Sequence, residues 1–289
     1  MRTIFLIRKR AIGDVLWIEP VIRQLSLNYK NVNVHTKYNE LFYNYPLPNV
    51  NFIDSLNLFH KIFLRIHRFF NWQFKYIDLD NAYEALPNMH ILHAYQTKAH
   101  QSHTIEYPQI YLPTPNAGLI PEYEYIVLHL ESHSTRNYRN VYGIDWDRVS
   151  DYFQKKGIRI IQIGIRPQNI RGTKFVQTSI IEMMQLINYS KFFIGIDSGP
   201  SHIAASLKKR SLIFFGAINP WYRHFETLFT GIIMQSSCEH LPCYHVANIV
   251  NGPICRLVGN EGIPKCSVHN TEKLLFNIQK LLVRDQENH

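Results

Sequence analysis

The stretch Ile194-Gly195-Ile196-Asp197-Ser198-Gly199-Pro200-Ser201-His202-Ile203-Ala204-Ala205-Ser206-Leu207 decides the fold class. An apolar run over residues 192–196 reads as a buried strand that stops at a turn and opens directly into a helix. Pro200 suits the first helical turn, and Gly199 lets another group approach the backbone. A strand–turn–helix junction offers free backbone N–H groups and the positive end of a helix dipole, which together favour an anion. His202 projects from the same turn. Two readings fit these residues: an anion site, or an ordinary junction with Asp197 or Ser198 as N-cap.

Working outward, the chain alternates strands and helices. The second half predicts strands at 125–130, 158–163, 192–196 and 212–215. It predicts helices at 145–156 (closed by Gly157), 179–188, 199–208 and 271–283. The first half predicts strands at 3–8, 32–36, 50–53 and 76–79, with helices at 14–29, 38–43, 56–70 and 90–99. Pro20 is expected to bend the first of these helices near residues 16–20. Between the halves, Pro113, Pro115, Gly118 and Pro121 mark a linker. The expected organisation is one domain over 1–115 and a second over 122–270. A C-terminal helix within 271–289 would pack back on the first. Alternation of this kind predicts an α/β protein with parallel sheets covered on both faces.

Composition sets further bounds. The chain has 289 residues, 46% of them hydrophobic, which is enough for two cores of ordinary size. No apolar run approaches a membrane span. The Ile4 to Ile7 run is short for a signal-peptide core and precedes Arg8-Lys9-Arg10 rather than following it, so a cytoplasmic location is expected. A net charge of +9 favours anionic partners: nucleotides, phosphorylated glycolipids, membrane surfaces or nucleic acid. Lys61, Arg65, His67, Arg68 and Lys75 gather among Phe63, Phe69, Phe70 and Trp72. That pattern reads either as a basic amphipathic helix lying on a membrane (its inner face) or on an acceptor surface, or as a core helix with a solvated side.

Near the N-terminus, a short strand leads into Gly13-Asp14-Val15-Leu16, followed by Pro20-Val21-Ile22-Arg23-Gln24-Leu25. This segment and Asp197-Ser198-Gly199-Pro200-Ser201-His202-Ile203-Ala204-Ala205 lie about 180 residues apart. Together they resemble glycosyltransferase family 9, the ADP-heptose:lipopolysaccharide heptosyltransferases and their relatives. The resemblance implies a GT-B architecture, two Rossmann-like domains facing across a cleft. It also implies an inverting, metal-independent transfer from a nucleoside-diphosphate sugar, ADP-heptose by default, to an acceptor hydroxyl on a polyanionic glycan or glycolipid.

By the same resemblance, Asp14 beside Gly13 is the general base. On residue type alone Asp14 reads as a helix cap, and Glu19 as a second carboxylate one turn on. Ser132-His133-Ser134-Thr135-Arg136-Asn137-Tyr138-Arg139 resembles the family's phosphate-gripping loop, with Ser134 and Thr135 as hydroxyl donors and Arg139 where the family has a lysine. Asp197, Ser198, Gly199 and His202 complete the implied donor site. Phe215-Gly216-Ala217-Ile218-Asn219-Pro220 keeps the glycine and proline of a further family motif without its acid, and the usual Pro-Gly-Ala after the first strand of the second domain is missing.

All four cysteines, Cys238, Cys243, Cys255 and Cys266, fall in one Gly- and Pro-rich segment with spacing C-x4-C-x11-C-x10-C. Four thiolates suit a structural tetrahedral Zn or Fe, and reduced cysteines without a metal fit equally. A subset of the family that glycosylates autotransporters uses four such cysteines to bind iron. Other functions open to the sequence are the same transfer onto protein or nucleic acid, a GT-B sugar-nucleotide epimerase, and a basic nucleic-acid-binding module with a metal held by the four cysteines.

Overall fold

The computed structural model describes residues 3–9, 11–54, 74–132, 137–244, 255, 257–259 and 261–283. The chain divides into two compact units, Met1–Pro113 and Thr114–His289. The helix predicted at 56–70 lies outside the described residues, as does nearly all of the basic aromatic segment.

In the first unit, β1 (Thr3–Ile7), β2 (Asn31–His35), β3 (Val50–Ile53) and β4 (Phe74–Asp78) form a parallel sheet in the order β3-β2-β1-β4. Ile4 through Ile7 are all buried, as a central parallel strand covered on both faces requires. Ile7 pairs with His35 on one side and Asp78 on the other, so the strand order reverses at β1. Open α/β sheets bind ligands in the crevice beyond such a reversal.

The helix predicted over 14–29 is two helices, α1 (Ile12–Leu16) and α2 (Glu19–Ser26). Pro20 does not bend a continuous helix; it stands in the first turn of α2, where its missing N–H has no helical partner to lose. Residues 38–43 form only a 3-10 turn, Asn39–Phe42, followed by Asn44 at φ 56° and a proline-containing loop. Helix α3 spans Ile91–Lys98, its Leu92 N–H donating to His90 Nδ1 at 3.1 Å. Buried Glu19 accepts from Arg23 Nε (2.7 Å), the Tyr45 hydroxyl (3.0 Å) and the Gln109 N–H (2.9 Å). Its carboxylate therefore ties α2 to the proline-rich strand of chain that ends the unit.

Among its described residues the second unit has six parallel strands: β5 (Tyr125–His129), β6 (Arg159–Ile163), β7 (Thr173–Val176), β8 (Phe193–Ile196), β9 (Ser211–Phe215) and β10 (Gly231–Gln235). Their order is β10-β9-β8-β5-β6-β7, with the reversal between β5 and β8. The sequence reading lacks β7 and β10. Both are edge strands and mostly half-buried, so neither carries the continuous apolar run that marks the centre of a parallel sheet.

Among the described residues four helices complete the unit: α4 (Trp146–Gln154), α5 (Ile180–Tyr189), α6 (Gly199–Ser206) and α7 (Thr271–Val283). Their starts are encoded locally. Asp145 accepts from the Arg148 N–H, and Ser179 with Glu182 forms a reciprocal capping box. Leu128, Ile160, Ile194 and Phe214 from the sheet, with Phe192 just ahead of β8, pack with Val149 and Phe153 of α4 and with Leu274, Ile278 and Leu281 of α7. Helix α7 is therefore built into the second unit's core. Among the described residues no helix is long and apolar enough to cross a membrane.

Candidate active site

Beyond the strand reversal of the second unit, β8 ends and α6 begins within three residues. The Asp197 N–H still follows the sheet, donating to the Phe214 carbonyl at 3.0 Å. The next N–H, that of Ser198, donates to Ser201 Oγ at 3.2 Å, and the Ser201 hydroxyl donates to the Ser198 carbonyl at 2.7 Å. The turn therefore takes up the N–H of Ser198, one of the residues of the implied donor site, within the protein. Ser198 Oγ lies 3.2 Å from His129 Nδ1 at the end of β5, which joins the two strands flanking the crevice. Gly199 is the first residue of α6.

Asp197 and Arg139, 58 residues apart, meet here. Arg139 Nη1 donates to the Asp197 carbonyl at 3.1 Å, and its Nη2 stands 3.6 Å from Asp197 Oδ2. His202 Nε2 is 3.8 Å from Asp197 Oδ1. That contact is not an ion pair. Burial, with Arg223 and Arg139 beside it, pushes the His202 pKa down to about 3, so the ring is neutral near pH 7. His202 stacks on His224 with centroids 5.1 Å apart, and burial pushes His224 in the same direction.

Sequence reading missed Arg223. It is buried beyond β9, directly after a 3-10 turn, Pro220–Tyr222, that Asn219 caps through the Trp221 N–H. The retained Pro220 was the one signal pointing there. Around the α6 N-terminus the chain thus holds the Arg139 guanidinium, a neutral imidazole and one carboxylate, with the charge of buried Arg223 acting on the same imidazole, an arrangement suited to an anion with several oxygens.

The turn that carries Arg139 (Asn137–Arg139) is held from behind. A Cβ at Gly216 would stand 1.9 Å from the Tyr138 carbonyl, so only glycine admits that approach. Ser267 Oγ donates to the same carbonyl at 2.8 Å, and Asn137 Nδ2 donates to the Gly262 carbonyl. Ser134 and Thr135 lie outside the described residues.

Tyr138 also lines a pocket shared by all four cysteines, Cys238, Cys243, Cys255 and Cys266, together with Ala217 and His240. The space between them is about 10 Å³, room for one water-sized sphere. Burial, with the other three cysteines adding to it, pushes the Cys266 thiol up to about 11. The four-sulfur donor set fits Zn or Fe by chemistry. As they stand, no three or more His, Cys, Asp or Glu side chains among the described residues are placed to hold a metal ion.

In the first unit, the crevice beyond β1 and β4 holds Asp14. Ala11, at φ 62°, turns the chain into α1, and Gly13 is buried with its carbonyl accepting from the Trp17 N–H at 3.1 Å. Asp14 caps nothing: its Oδ2 accepts from Arg8 Nη2, and the Tyr83 hydroxyl lies 3.5 Å away. Arg8 is buried over the rings of Tyr83 and Tyr95, 5.6 and 5.7 Å from their centroids, and 3.6 Å from Asp80 Oδ1. Burial opposes the Arg8 charge, but the neighbouring Tyr95, Asp14 and Tyr83 outweigh it and raise its pKa. The Asp14 side chain, held by Arg8, keeps 16% exposure. Glu19, the other candidate carboxylate, is fully buried and saturated with partners.

Residues 132–245 match glycosyltransferase family 9 (heptosyltransferase). No curated protein sequence matches the chain. Among solved structures, the iron-containing dodecameric glycosyltransferase TibC from enterotoxigenic E. coli H10407 shares the fold with TM-score 0.76 at 15% identity, over 98% of this chain and 77% of that one. TibC in complex with ADP-D-beta-D-heptose gives TM-score 0.76 at 14% identity, over 98% and 76%. The E. coli ADP-heptose lps heptosyltransferase II gives TM-score 0.66 at 11% identity, over 99% of this chain and 100% of that one. At such identities the structural likeness speaks for the fold, the two-sheet α/β arrangement called GT-B, and the family match speaks for the chemistry. Residues 132–245 are a glycosyltransferase family 9 (heptosyltransferase) domain, and the chain is a glycosyltransferase.

Proposed function

We propose that the chain transfers a heptosyl group from ADP-heptose to an acceptor hydroxyl with inversion, Asp14 acting as general base. The acceptor oxygen attacks the anomeric carbon, the bond from that carbon to the diphosphate oxygen breaks, and ADP leaves with the electron pair. The acceptor proton passes to the Asp14 carboxylate. Arg8 orients that carboxylate, so that its contribution rests on positioning.

One observation carries the reading: Arg139 is fixed on Asp197 at the start of α6, beside a neutral His202 on which the charge of buried Arg223 also acts. Charge accumulates on the departing diphosphate, and donors fixed in advance stabilise it. The two guanidiniums would do this without a divalent metal in the step, with Ser134, Thr135 and the Gly199 backbone as further phosphate contacts. Asp197 would face the sugar. That TibC was solved with ADP-D-beta-D-heptose supports this donor class.

A structural Zn or Fe on Cys238, Cys243, Cys255 and Cys266 belongs to the same reading. Their convergence on one small pocket supports it, and TibC is iron-containing. This metal would brace the chain behind Tyr138 and take no part in the transfer. The default acceptor is a polyanionic glycan or glycolipid, reached at a membrane surface by a basic protein. The cysteine pocket favours a second reading, a protein acceptor, through the resemblance to autotransporter-modifying enzymes.

Calorimetric titration with ADP, ADP-heptose and uridine-based analogues tests the donor, and mass spectrometry of glycan and protein acceptors after incubation with ADP-heptose tests the transfer. Selective adenine-nucleotide binding with a mass gain of one heptose supports the proposal. Absence of ADP binding overturns it.

A further inference from the structure

The loop after β6 is pinned by a carboxylate from the neighbouring strand. Glu131, two residues beyond β5, accepts the Arg166 N–H on Oε1 at 2.9 Å and the Ile165 N–H on Oε2. Gly164 makes this approach possible: at φ 150° it occupies backbone space that side chains rarely adopt, and a Cβ there would stand 2.2 Å from Glu131 Oε2. The far end of the loop is fixed as well. The Gln168 N–H donates to Gln162 Oε1 at 2.8 Å, and Gln162 Nε2 returns a bond to the Gln168 carbonyl at 3.0 Å. The loop Gly164-Ile165-Arg166-Pro167-Gln168 is thus pinned at both ends by side chains, with Ile165 60% exposed between them.

The position of this loop suggests what it serves. Strand order places β5 between β8 and β6, so the loop stands two strand spacings, about 10 Å, from the β8 turn. In dinucleotide-binding sheets of this order the acidic residue that reads ribose hydroxyls ends the strand next to the first, which here is β6 beside β5. Here the loop itself has no acid, and the carboxylate that reaches it is spent on backbone N–H groups. Resting on the donor reading above, we infer that Glu131 is a positioning residue for the nucleoside half of the donor: it fixes the loop that presents Ile165 and Arg166 to that half and does not itself contact the ribose.

The test compares ADP with inorganic pyrophosphate, which lacks the nucleoside, by calorimetry on the full chain. E131Q puts an amide NH2 where one N–H must be accepted, at nearly unchanged volume. It should weaken ADP binding about tenfold, the order expected from losing a charge-assisted hydrogen bond, and leave pyrophosphate within about twofold. G164A keeps the carboxylate but displaces it, and should give the same split; it carries the comparison if E131Q does not fold. Unchanged ADP affinity in both variants, or equal losses for ADP and pyrophosphate, overturns the role of Glu131. A wild-type chain that does not bind ADP overturns the donor reading itself, a separate outcome.

Discussion

The Ser267 hydroxyl donates to the Tyr138 carbonyl at 2.8 Å, and through that bond the cysteine-rich turn supports the residue next to Arg139. Arg139 in turn reaches the Asp197 carbonyl. Substituting Ser267 by Ala leaves a buried carbonyl without this partner, an expected loss of about 1–2 kcal/mol. A lower Tm together with weaker ADP binding checks it; a lower Tm with unchanged ADP affinity would separate the brace from the site.

Gly216 presses on the same carbonyl from the other side. Ala at this position places a methyl inside contact distance of backbone, so the 137–139 turn must move. The expected cost is about 1–3 kcal/mol of stability, typical of overpacking, measured by denaturant unfolding.

Asp14→Asn retains the shape of the side chain and removes the base. Transfer is expected to fall by about 10²–10⁴ while ADP affinity stays near wild type, read by steady-state kinetics beside calorimetry. Substantial transfer by this variant would remove Asp14 from the mechanism.

The buried histidines predict an acid-sensitive fold. His202, at about 3, lies below its ordinary value near 6.5, and His269, at about 4, does too; burial is the first cause for both. Between the folded and unfolded values the unfolded chain binds more protons, so stability should be complete above about pH 6.5 and fall as pH drops towards 3. His202→Gln should flatten that slope, measured as Tm against pH.

Elemental analysis of the purified chain decides the cysteine pocket. The expected outcome is close to one Zn or Fe per chain, lost on substituting Cys266 by Ser; roughly a tenth of an equivalent or less would reject a resident metal.

How much of this was legible beforehand depended on how local the cause is. Strands β1, β5 and β8 announce themselves because a strand buried on both faces needs an unbroken apolar run, and Ser179 with Glu182 marks a helix start within four residues. Strands β7 and β10 carry no such signature, since their neighbours cover only part of them. Pro20 shows how one residue can support two local readings, a bend or a first turn, that only the surrounding chain separates.

Asp14, Arg139, Asp197 and His202 could be singled out from residue type, position after a strand and resemblance. Their partners could not. Arg8, 6 residues before Asp14, reads as one member of a basic cluster until the fold buries it against Tyr83 and Tyr95. Arg223 belongs to a loop with no anion-binding pattern of its own.

The amino-acid order by itself determined two parallel α/β sheets and the turns where chemistry could reside, because hydrophobic period, caps and glycines act over a few residues. The tertiary structure alone decided that Arg139 meets Asp197, that four cysteines share one pocket, and that Glu131 is spent on the loop beyond β6. Those pairings join residues from 34 to 58 positions apart for the two polar contacts, and chain segments that distant are brought together only by the packing of whole strands and helices.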